Sequence, residues 1–143
     1  MIGRVFILGF AWLALMSVGL GAAELRASKA EVRKEVIAVI EAQLAAFRAD
    51  DAAKAYGLAS ATLRAQFPQR RFASIIQSNY PEIWTSTEAE YGIVRDDGTR
   101  ARLLVHVKSE QGQASFDYVL VKERNGWRIG SVVRDPGRRK DDV

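Results

Sequence analysis

The 143-residue chain is 48% hydrophobic and 27% charged, carries a net charge of +4, and contains no cysteine and one histidine. That is one domain held by packing alone, with neither a disulfide framework nor a thiolate metal site open to it. The basic surplus is scattered, clustering only at Arg70-Arg71 and Arg138-Arg139-Lys140, whereas a nucleic-acid partner would call for a dense basic face.

Met1 to Arg4 places one positive charge ahead of an apolar run, Val5 to Leu20, which ends in Gly21-Ala22-Ala23. A charged start, an apolar stretch and small closing side chains predict a signal peptide over residues 1–23, cleaved before Glu24. The run is shorter than the ~20 residues that span a bilayer. The expected product is periplasmic or secreted, with no membrane attachment after cleavage.

Ser28-Lys29-Ala30-Glu31 has the spacing of a capping box and predicts a helix start. Val32, Val36, Ile40, Leu44 and Phe47 then recur on one face of a 3.6-residue period. Asp50-Asp51 offers cap carboxylates to a short helix over 52–59, and Ser60 caps a further turn. Pro68 interrupts, residues 70–79 read as the next helix with Phe72, Ile75 and Ile76 on one side, and Pro81 ends it.

From Ile83 the period changes to two, divided by Asp96-Asp97-Gly98, Gln111-Gly112 and Asn125-Gly126. Strands are expected at 84–95, 99–109, 113–124 and 127–134, joined as hairpins, the last through the positive-φ turn that Asn-Gly favours. The fold class is therefore α+β, three N-terminal helices packed on a curved four-stranded antiparallel meander, a single domain over 24–134 with a disordered tail at 135–143.

Parity assigns Tyr91, Ile93, Leu103, Val105, Val107, Phe116, Tyr118, Leu120, Trp127, Ile129 and Val133 to the face under the helices. Leu104, Val119, Val121 and Val132 form an apolar centre on the opposite face, rimmed by charge, and suggest a homodimer through it. With the turns closing as loops of three, two and two residues, Glu88, His106, Asp117 and Arg134 fall in one row on that face.

Gln43-Leu44-Ala45-Ala46-Phe47, Asp50-Asp51, Ala55-Tyr56, Ala59-Ser60, Tyr80-Pro81 and Gly126-Trp127-Arg128-Ile129 carry a resemblance. The pattern resembles the cone-shaped fold of the nuclear transport factor 2-like superfamily, and within it an uncharacterised exported bacterial family defined as a domain of unknown function. The likeness covers about residues 35–134. That superfamily includes isomerases, dehydratases and hydrolases as well as ligand-binding and assembling modules, so fold does not give function.

In its enzymatic members the chemistry lies inside the cone, where an Asp or His acts as base and a Tyr or protonated acid stabilises an oxyanion. Here parity leaves Tyr91, Tyr118, Ser131, Thr87 and the Trp127 indole as the polar groups the sheet turns inward, none a competent base near neutral pH. The candidate ligand-binding set is Tyr56, Tyr91, Tyr118, Trp127 and Ser131, with no catalytic residue, cofactor or metal ligand assigned. The sequence thus points to a module that binds a small, largely apolar ligand or another protein. The alternative is a small-molecule isomerase or hydrolase using a helix-borne Asp50 or Asp51 with a pocket tyrosine.

Overall fold

The computed structural model describes residues 24–137, so the expected signal peptide and residues 138–143 of the expected tail lie outside the described residues. Five helices and one six-stranded antiparallel sheet make up the described chain, which corrects the expectation of three helices on a four-stranded meander. In chain order these are β1 (Arg26–Ala27), α1 (Ala30–Arg48), α2 (Ala52–Gly57), α3 (Ala61–Gln66), α4 (Gln69–Asn79) and α5 (Pro81–Trp84). They are followed by β2 (Ser86–Tyr91), β3 (Arg95–Asp96), β4 (Arg100–Ser109), β5 (Gly112–Glu123) and β6 (Gly126–Arg134). The sheet runs β1-β3-β4-β5-β6, with β2 also paired to β4.

The long helix α1 buries Val36, Ile40, Leu44 and Phe47, the expected face. Its start is not the expected capping box: Lys29 is the N-cap residue and no side chain caps the helix. Ser28 instead closes the β1 ribbon, its amide donating to the Val94 carbonyl at 2.9 Å and its hydroxyl to the Asp96 carboxylate. The next two starts follow the cap chemistry, Asp51 accepting from the Lys54 amide and Ser60 from the Leu63 amide, each at 3.1 Å. Pro81 opens α5 as well as ending α4, because a residue without N–H loses nothing in the first turn.

The expected strand 84–95 is split. Tyr91 pairs with Val105 and Arg95 with Arg102, so the segment between them holds one residue more than its partner. The extra residue sits at Gly92, whose amide donates to the Leu104 carbonyl at 2.8 Å and where an added Cβ would stand 3.1 Å from that oxygen. Parity therefore changes, Val94 turning into the core and Ile93 out to 63% exposure. A second bulge, between Val119 and Leu120 on one strand and Ile129 and Ser131 on the other, leaves Gly130 unpaired. Beyond it Val132 packs against the core while Val133 is 59% exposed, the reverse of the expected assignment for both.

The hairpins also close differently. Ser109 pairs with Gly112 and Glu123 with Gly126, so the loop residues are Glu110-Gln111 and Arg124-Asn125. Gly112 (φ +128°) and Gly126 (φ +112°) begin the returning strands, taking the left-handed position that follows a tight turn, while Asn125 does not have positive φ. Register slips by two residues, which keeps each side chain on its face but changes its neighbours. The expected row is accordingly broken. His106 lies opposite Glu90 and Ser115, while Asp117 lies opposite Leu104 and Val133 and pairs with Arg102.

Helices cover one face of the sheet over a core in which Phe116, Tyr118, Leu120 and Val105 have no exposed surface. Phe47 anchors the helical side, its ring centroid 5.3 Å from that of Trp84 and 6.0 Å from that of Phe72. The other face is open, with Leu104 at 46% exposure beside Ile93 and Val133.

Candidate functional site

Where α3, α4 and α5 lean over the β5–β6 end of the sheet, the core is not filled. A cavity of about 200 Å³ remains, its helical wall made by Leu63, Phe67, Phe72, Ile75, Ile76 and Ile83. Ile129 and Val132 of β6 form the sheet wall, and Val132 reaches it because the Gly130 bulge turns it inward. No charged side chain lines the space.

Four of the lining residues carry polar side chains: Gln43, Tyr80, Tyr118 and Ser131. Gln43 comes from the buried face of α1 and is 3% exposed; its amide nitrogen donates to the Ala55 carbonyl at 3.3 Å. Tyr80 donates its hydroxyl to the Val132 carbonyl at 3.3 Å, tying the α4–α5 corner to β6 across the cavity's rim. Tyr118 is fully buried and its hydroxyl has no partner among the described residues. Burial, with the nearby Tyr91 hydroxyl, pushes the Tyr118 phenol well above its ordinary range, so it stays a neutral donor.

Behind Tyr80 stands an ion pair. Arg134, at the end of β6, makes a two-pronged contact with Glu82 at 3.1 and 2.9 Å and donates to the Asn79 carbonyl at 2.9 Å. Its guanidinium lies 5.0 Å from the Phe116 ring centroid and 6.0 Å from that of Tyr80. The hydrogen bonds from Arg134 hold the Glu82 carboxyl below its usual range, against the opposing effect of burial. This clamp fixes the corner that carries Tyr80.

Of the five residues singled out from sequence, Tyr118 and Ser131 line the cavity and the other three lie elsewhere. Tyr56 packs behind it on Phe72, centroids 5.4 Å apart, with its hydroxyl donating to the Phe67 carbonyl at 2.5 Å. Trp127 is a core residue under Lys122, whose Nζ lies 5.2 Å from the ring centroid. Tyr91 sits in a shallow groove between α1 and β2 beside Glu41 and Arg48, where burial first and Glu41 second push its phenol up to about 12. Asp51 is an exposed helix cap, and neither it nor Asp50 lines the cavity. His106, on the open face, has Ser115 Oγ 2.9 Å from Nδ1 and Gln113 Oε1 3.1 Å from Nε2.

Gln43 was not singled out from sequence, although a signal existed. It interrupts the apolar stripe between Ile40 and Phe47, so a polar side chain occupies a core-facing position. Val132 escaped because parity carried straight through Gly130 places it outward, although a glycine inside a strand pattern is a bulge signal.

Among the described residues no group of three or more His, Cys, Asp or Glu side chains is placed to hold a metal, and no helix is long and apolar enough to cross a membrane. A family model described as a domain of unknown function, DUF4864, matches residues 29–140. No curated protein matches the sequence.

Proposed function

The chain belongs to the DUF4864 family, a domain of unknown function, and we propose that this member is a binding module for a small apolar molecule held in the cavity beneath α3–α5. One observation carries the reading: an apolar space of about 200 Å³ stands open beneath α3–α5, walled by Leu63, Phe72, Ile76 and Ile129. Unfilled volume costs stability, roughly 24 cal/mol per Å³ in cavities made by truncation, and a bound ligand would recover that loss. Toluene is a suitable probe. At ten times its dissociation constant it should raise the melting temperature by about 5 °C, and Ile76→Trp, which fills the space, should abolish the shift. A melting curve unmoved by saturating toluene would refute the proposal.

Two further features belong to the same reading. Helices on one face of an antiparallel sheet, with a cavity between them, support placement in the nuclear transport factor 2-like superfamily. The charged start, apolar run and small residues of 1–23 support an exported form that begins at Glu24.

The open face supports self-association. Ile93, Leu104 and Val133 surround the exposed ion pair of Arg102 with Asp117. A two-fold contact centred there would set each copy's Arg102 against the other's Asp117 and cover the apolar side chains.

A further inference from the structure

Resting on the binding reading above, we propose that the cavity's ligand is an uncharged molecule of single-ring size that donates a hydroxyl hydrogen bond to the side-chain amide oxygen of Gln43. Size follows from volume: an apolar cavity of about 150 Å³ accepts benzene, and this one measures about 200 Å³. Neutrality follows from the lining, which offers no charged side chain to compensate a buried ion.

The donor requirement comes from the way Gln43 is held. Its nitrogen donates to the Ala55 carbonyl at 3.3 Å, and because a carbonyl only accepts, the amide has one permitted orientation. The amide oxygen is thereby committed to the other side, and no described residue donates to it. At 3% exposure the residue has almost no access to bulk water. The oxygen is not among the fully enclosed unpaired polar atoms of the described residues, which are Tyr118 Oη, Trp127 Nε1 and Arg128 Nε, so it keeps some accessible surface, and the cavity that Gln43 lines is where a donor can reach it. A ligand hydroxyl placed against Oε1 satisfies the group.

Toluene and p-cresol share the ring and the methyl group and differ by one hydroxyl, so calorimetric titration of both isolates the contribution of Gln43. The wild-type chain should bind p-cresol at least about fivefold more tightly than toluene, the yield of one net hydrogen bond. Gln43→Met should bring the ratio to about one while keeping toluene binding. Equal affinities in the wild-type chain, as a lone water on Gln43 would produce, overturn the donor requirement and leave the binding module intact. Binding of neither probe overturns both. Should Gln43→Met not fold, the wild-type ratio decides the matter alone.

Discussion

Tyr118 and Trp127 both carry a polar atom into the core without a partner among the described residues. Each is nonetheless almost wholly buried, so the ring is the stabilising part and the polar atom a desolvation cost. Tyr118→Phe should therefore leave stability unchanged or raise it by up to about 1 kcal/mol in urea melts. A loss above about 1 kcal/mol would mean that the hydroxyl has a partner in solution. The opposite is expected at Phe47 and Phe116, at 1% and 0% exposure, where truncation to alanine should cost about 3–5 kcal/mol. Single residues were legible wherever a face decided them, as for Phe116, Tyr118 and Trp127. His106 was not, because its neighbours depend on register, and the pairings of β4 with β2 and with β5 both slip by two residues from the assumed ones.

Helix α1, the caps at Asp51 and Ser60, and the three long strands follow from period and punctuation. The elements that do not are the short ones and the irregular ones. A two-residue strand such as β1 has no period to read, and bulges at Gly92 and Gly130 reverse parity without changing composition. The clamp between α5 and β6 is also a product of register, since Glu82 and Arg134 are far apart in sequence. Arg134 lowers the Glu82 pKa below its ordinary 4.5, so the folded state binds that proton less readily than the unfolded chain. The resulting stabilisation is present above the unfolded value and is lost as pH falls through the folded one. Asp97, held low by the Thr99 and Arg100 amides, contributes with the same sign but independently. Thermal melts of Glu82→Gln should thus show a shallower acid limb below about pH 4.5 than the parent chain. Superimposable limbs would place the acid sensitivity elsewhere.

For the molecule as a whole, fold class at the level of α+β was legible, and so was the side of the sheet that the helices cover. The cavity was not, because empty space has no residue type; it arises from how α3, α4 and α5 splay over β6. The open face gives a prediction on the same scale. Sedimentation at micromolar concentration should find a dimer that Leu104→Arg converts to monomer, and a monomeric parent chain would remove the proposed contact. Export is tested by intact mass from a secreting host, which should correspond to a chain beginning at Glu24 rather than Met1. Most directly, a crystal equilibrated under xenon pressure tests whether the space beneath the helices exists and admits an apolar guest. A xenon site in contact with Ile76, Ile129 and Val132 is expected, with the surrounding side chains unmoved. Side chains closed over that position and no xenon between them would contradict it.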